Sequence, residues 1–209
     1  MTEEEQRLME QGANPGSPEG APGHAMLTRM NREHAPLRAF AFSHMKLADK
    51  ERILDVGCGG GATIAELLAL APRSVIDGID YMEASVEETG RLNRDELGRR
   101  LTVQRGDVQH LPYADGTFDL VTAVETVYFW PDVTAAFAGI RRTLKPGGEL
   151  AVSCEGCDPD NNQWPKIPGT FRIYRPGELV QYMFEAGFDE VHFYHGEAQM
   201  ILVLGVKNQ

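Results

Sequence analysis

Four of the five residues from Gly57 to Gly61 are glycine, and they directly follow the apolar run Arg52-Ile53-Leu54-Asp55-Val56. Glycine loses more conformational freedom on folding than any other residue, so a plain turn has no reason to concentrate four of them. Beyond the loop, Ile64, Leu67, Leu68 and Ala71 recur at the spacing of one helix face, and Pro72 stops the pattern. A buried strand, a bare loop and a helix in that order open a βαβ unit. Without Cβ atoms the loop lets a ligand approach closely. The free N–H groups and positive dipole end of the following helix then seat an anion, either a pyrophosphate or an amino-acid carboxylate.

The alternation continues. Ser74 to Asp80 reads as a second strand, 83–99 as a polar helix, Leu101 to Gln104 as a third strand and Phe118 to Val124 as a fourth. Phe137, Ile140, Arg141 and Leu144 mark a helix ended by Pro146-Gly147-Gly148, and Glu149 to Ser153 reads as a fifth strand. Glu178 to Ala186 reads as a helix stopped by Gly187, and strands near Val191–Tyr194 and Ile201–Val206 read as a closing hairpin. Strand–helix alternation of this length predicts a parallel sheet covered on both faces. Its ligand site lies beyond the carboxyl ends of the strands, where strand order reverses. That rule singles out residues 55–62, 80–82, 107–108 and 125–130. Residues 1–24, dense in Pro and Gly, read as a flexible lead-in to a single domain over 25–209. That domain has an N-terminal helix over about 31–47 and an irregular, aromatic-rich insert over about 155–176.

Charge narrows the partners. The chain has 20 basic and 31 acidic residues, a net of −11, which disfavours nucleic acid and anionic membranes and suits a cationic ligand. The acidic start and the absence of a long apolar run imply a cytoplasmic protein. Three cysteines, Cys58, Cys154 and Cys157, read as reduced thiols. The CxxC at 154–157 has no second CxxC or HxxxH pair beside it, so no metal is expected.

The glycine loop alone does not choose its ligand. Gly57, Gly59 and Ala62 fit a dinucleotide fingerprint loosely, with Asp80 placed for a ribose hydroxyl, so an NAD-dependent oxidoreductase stays open at this stage. Three further features decide. Asp55 stands two residues before the first glycine, where dinucleotide folds usually carry an apolar residue. The third strand runs into Gly106-Asp107-Val108-Gln109-His110-Leu111-Pro112, where an aspartate can accept from an exocyclic amine and the next N–H can serve a ring nitrogen. Leu144-Lys145-Pro146-Gly147-Gly148 precedes the fifth strand.

On these residues the chain resembles the class I S-adenosylmethionine-dependent methyltransferases of the small-molecule kind. Asp55, Gly57, Gly59 and Gly61 meet the acidic-x-Gly-x-Gly-x-Gly motif. Asp80 meets the second-strand acid, 106–112 the Gly-Asp-x-x-x-Leu-Pro segment, 118–121 Phe-Asp-Leu-Val, and 144–148 the Leu-Lys-Pro-Gly-Gly turn. The resemblance spans about residues 45 to 206 and implies a Rossmann-like, seven-stranded, mostly parallel sheet. Helices cover both faces, and an antiparallel hairpin closes it.

The resemblance also implies S-adenosylmethionine as cofactor. Asp80 would accept the ribose hydroxyls, Asp107 and the Val108 backbone would read adenine, and Tyr81 and Met82 would pack on its face. The region of Gly57, Cys58 and Gly59 would hold the methionyl part, Asp55 would orient that loop, and Glu125 would face the cofactor. Methyl transfer is an in-line displacement with a good neutral leaving group, so positioning supplies most of the catalysis and no catalytic residue is forced. Candidates are Tyr128 and Glu125, just past the fourth strand, and His34 on the N-terminal helix. The expected partner is a small-molecule acceptor, its selectivity set by residues 24–46 and by the insert holding Trp164, Phe171, Arg172 and Tyr174. A binding module that keeps the cofactor site without turnover is the remaining alternative.

Overall fold

The structure, a computed structural model, describes Arg7, residues 14–160 and residues 171–209. Seven strands form one sheet: β1 Arg52–Val56, β2 Val75–Asp80, β3 Leu101–Arg105, β4 Phe118–Val124, β5 Leu144–Cys154, β6 Glu190–His195 and β7 Ile201–Lys207. Their order is β3-β2-β1-β4-β5-β7-β6. The first five pair in parallel, and β7 lies antiparallel between β5 and β6. The expected Rossmann-like class and closing hairpin are both present.

The central strands are apolar on both faces because both faces are covered, while the edge strands β3 and β6 carry polar, partly exposed residues. Leu54, Val56, Val121, Leu150 and Val203 pack under α5 (Val133–Thr143) and α6 (Pro176–Glu185). Their neighbours Ile53, Ile76, Leu120, Ala151 and Leu204 pack under α2 (Ala35–Ser43) and α3 (Ala62–Leu70). Sheet order reverses between β1 and β4, so the carboxyl ends of β1 to β5 share one edge, with a crevice at its centre.

Several boundaries differ from the sequence reading: Leu144, read as helical, already opens β5, which runs through the Pro146-Gly147-Gly148 turn to Cys154. The helix expected over 83–99, α4, covers only Glu83–Leu92. Asn93 ends it by turning its side-chain amide back to the carbonyls of Thr89 and Gly61, and Gly98 follows with φ +75°. The single helix expected over 31–47 is two helices, α1 Gly20–Glu33 and α2. Pro36 cannot supply the N–H that would continue α1, and its ring starts α2, which leaves His34 at the corner. Helix α1 also begins inside the segment read as a flexible lead-in. Pro22 lies in the first turn, where a missing N–H costs nothing. Upstream, Asn14 to Ser17 make a tight turn, with Ser17 N–H bonded to the Asn14 carbonyl at 3.0 Å. The rest of 1–13, and residues 161–170 with Trp164, lie outside the described residues. No described helix is long and apolar enough to cross a membrane.

Candidate active site

The loop after β1 adopts backbone that side chains resist: Gly57, Gly59 and Gly61 have φ of +72°, +53° and +83°. A Cβ on Gly57 would stand 2.1 Å from Thr126 Oγ1. The loop is clasped from several sides. Gly57 and Cys58 N–H donate to the Ile79 carbonyl, and Gly59 N–H donates to Asp80 Oδ2 at 2.9 Å. Asn31 of α1 donates its amide to the Gly60 carbonyl at 2.8 Å, and Thr89 of α4 donates to the Gly59 carbonyl at 3.0 Å.

Asp80 ends β2. Its other oxygen accepts Met82 N–H at 2.9 Å, and burial pushes its pKa up against these bonds. Asp107 caps the single turn Val108–His110 by accepting Gln109 N–H at 2.9 Å. Tyr81 is largely exposed, with the Arg105 guanidinium 5.6 Å from its ring centroid.

These residues wall one cavity of about 500 Å³, within the usual range for small-ligand sites. The glycine loop from Gly57 to Gly60, Asp80 to Met82, Asp107 and Val108 all line it. So do Glu125, Thr126, Phe129 and Trp130 after β4, and Met30, Asn31 and His34 from above. The turn Asn14–Ser17 adds a rim and rests on Phe129.

Two predicted residues stand behind this wall. Asp55 points into the sheet and accepts the Thr122 hydroxyl at 2.6 Å. Full burial, with the Asp80 charge nearby, lifts its pKa to about 7 despite that bond. Tyr128 is buried as well. Its hydroxyl donates to Glu125 Oε1 at 2.9 Å and accepts Gly156 N–H at 3.0 Å, and burial holds the phenol protonated. The insert also differs from expectation, since no described residue of 155–176 lines the cavity. Phe171 packs on Tyr128 and Phe129, and Arg172 stacks on Tyr174, so these side chains anchor the insert to the core. All three cysteines are buried and free.

At the inner end, Glu125 has φ +55°, in the left-handed region uncommon for side-chain-bearing residues. Burial raises its carboxyl to about 7, against the bonds from Glu155 N–H and Tyr128 to Oε1. His34 Nε2 lies 4.0 Å from Glu125 Oε2. Burial, then the charges of Arg38 and Arg29, lower the imidazole to about 4, so it is neutral at pH 7.

Over 189 residues the chain is 33% identical to the demethylmenaquinone methyltransferase of Lactiplantibacillus plantarum, a match covering 77% of this chain and 79% of that one. The chain belongs to the class I S-adenosylmethionine-dependent methyltransferases. The Methyltransferase domain family matches residues 54–152. The 27-O-demethylrifamycin SV methyltransferase of Amycolatopsis mediterranei is 35% identical over 148 residues, 66% of this chain and 54% of that one. The chain spans between 38% and 54% of the length of the first four curated relatives it matches. For the fold alone, a chain in the complex between the Haloferax volcanii Trm112 methyltransferase activator and a methyltransferase superposes with a TM-score of 0.80. The two are 18% identical, and the superposition covers 89% of this chain and 94% of that one.

Sequence reasoning about this methyltransferase singled out the segment that holds Thr126 but missed Asn31, Thr89, Glu155 and the Asn14–Ser17 turn. Asn31 alone left a trace, one helical turn before His34. The others hold no motif position and become visible only when separate elements meet.

Proposed function

We propose that the chain transfers a methyl group from S-adenosylmethionine to a small-molecule acceptor. The observation that carries this is the convergence of the side-chain-free loop, Asp80 and Asp107 on one cavity whose inner end holds Glu125 and His34. The site fits the cofactor. Gly57 to Gly59 leave a cradle that a Cβ would fill, and Asp80 spends part of its four lone pairs on Gly59 and Met82 N–H and keeps the remainder for hydroxyl donors. Asp80 takes the ribose hydroxyls, Asp107 and Val108 N–H take adenine, and Tyr81 and Met82 cover it. The bound cofactor supplies an electrophilic methyl on a sulfonium.

Around it the chain's own groups position and exclude. Phe129 and Trp130 keep water from the chamber, and the acidic wall at Glu125 suits a cationic centre. Tyr128 acts through Glu125, whose carboxylate it orients. Asp55 acts from behind the wall, where it ties β1 to β4 through Thr122 just before the loop. Two relatives are named for demethylmenaquinone and a demethylrifamycin, which supports a small organic acceptor here.

The test is calorimetric titration of the purified chain with S-adenosylhomocysteine, followed by incubation with methyl-labelled cofactor and a metabolite extract. Saturable binding at one site and a product heavier by one methylene are the expected results. No heat with S-adenosylhomocysteine, or a saturable response to NADH instead, overturns the cofactor assignment. Binding without labelled product leaves a cofactor-binding module and overturns the transfer.

A further inference from the structure

We infer that His34, Glu125 and Glu155 form a binding site for one divalent first-row metal ion at the inner end of the cavity. The three come from separate elements: the corner between α1 and α2, the residue after β4, and the residue after β5. One donor atom from each lies within 4.8 Å of the others. The 4.0 Å between His34 Nε2 and Glu125 Oε2 is too long for a hydrogen bond. Two metal–ligand bonds of about 2.1 Å can span it.

The state of the donors agrees with this. Among the described residues neither ring nitrogen of His34 has a hydrogen-bond partner. The Glu125 side chain is 8% exposed, and its two oxygens are treated differently. Tyr128 hydroxyl and Glu155 N–H fix Oε1, while Oε2 has no donor among the described residues and faces His34. Such fixing of one carboxylate oxygen is how proteins orient a metal ligand.

Charge points the same way. Two acidic side chains, Glu125 and Glu155, meet at this point. The adjacent cation, Arg38, is committed to Glu66 at 2.8 Å and to the Asn31 carbonyl at 2.8 Å. Arg29, the other cation facing His34, lies 3.5 Å from Glu33. A bound cation would offset the charge that these arginines leave. One imidazole with two carboxylates suits zinc, manganese or iron(II) better than magnesium or calcium. His34 and Glu125 line the cavity, so an ion held there would be reached from it. The inference rests on these three side chains and not on the cofactor assignment.

The test uses the full chain stripped with a chelator. Manganese(II) is titrated and followed by electron paramagnetic resonance, zinc is titrated by calorimetry, and magnesium serves as the comparison. One manganese or zinc ion per chain is expected, with a rise in melting temperature on loading. His34→Ala and Glu155→Gln should each weaken binding by about tenfold or more and abolish the metal-dependent rise. Each variant's melting temperature without metal reports whether its fold is intact. Unbound manganese throughout the titration, or variants that bind as tightly as the wild type, would overturn the site. Failure of S-adenosylhomocysteine to bind would leave this result untouched and bear only on the cofactor.

Discussion

Gly59 N–H donates to Asp80 Oδ2 at 2.9 Å, so the carboxylate that ends β2 also holds the loop that follows β1. Asp80→Ala removes two backbone bonds to a charged acceptor along with the proposed ribose contact, at about 1.5–3 kcal/mol for each bond. Asp80→Asn turns an amide donor toward one of the two N–H groups. Both variants should bind S-adenosylhomocysteine more than about tenfold more weakly, since about 1.4 kcal/mol already gives that factor. Calorimetry checks this, and wild-type affinity in Asp80→Ala would refute the contact.

Gly57 and Thr126 occupy space that only one side chain can fill. Gly57→Ala forces a Cβ to 2.1 Å from Thr126 Oγ1 and 2.7 Å from its Cβ, on a backbone with φ +72°. Loss of cofactor binding and a lower melting temperature are expected. Adding Thr126→Ala should not restore binding, because the Cβ clash survives, whereas Thr126→Gly should restore part of it. Full rescue by Thr126→Ala would show that the Cβ clash is not the limiting contact.

Asp55 makes stability depend on pH in the direction opposite to a salt-bridged acid. Its folded pKa of about 7 lies above the ordinary value of 3.8, so between those values the folded state holds a proton that the unfolded state has released. Stability therefore falls as pH rises through that window and levels off above about 7. At 1.36 kcal/mol per unit, a shift of about three units sets an upper bound of about 4 kcal/mol. Asp55→Asn should lack this slope. Melting temperatures of both proteins from pH 4 to 8 check it, and parallel curves would refute it.

Tyr128→Phe should destabilise without emptying the cavity. The lost hydroxyl leaves Gly156 N–H buried without its acceptor and frees Glu125 Oε1 from one of two donors. The cost should be about 1–3 kcal/mol, measured by denaturant unfolding. S-adenosylhomocysteine affinity should change by less than about threefold, because the ring stands behind the wall. A large loss of affinity with unchanged stability would reverse the assignment.

Much of the fold was legible because its signals are local. Val56 to Ala62 announce a strand, a loop and a helix within one short window, and β4 and β7 are apolar runs of the same local kind. The N-terminal helices were misjudged where local signals mislead. Pro22 reads as a breaker but sits in a first turn, where proline is harmless, while Pro36 splits a pattern that periodicity alone would continue. In the site, the motif residues after β1, β2 and β3 were found because each stands at a strand end. His34 with Glu155 was beyond reach as a pair. They are far apart in the chain and share no spacing rule, and only the meeting of a helix corner with the end of β5 brings them together.

Asn31 stands in the last turn of α1 and His34 caps that helix, the first clasping the loop at Gly60 and the second lying beside Glu125. One rigid rod thus touches both ends of the cavity. If the rod rocks, the clasp opens and the imidazole withdraws in the same motion. Under the proposed function, such a motion would couple the release of spent cofactor to the far end through one lever.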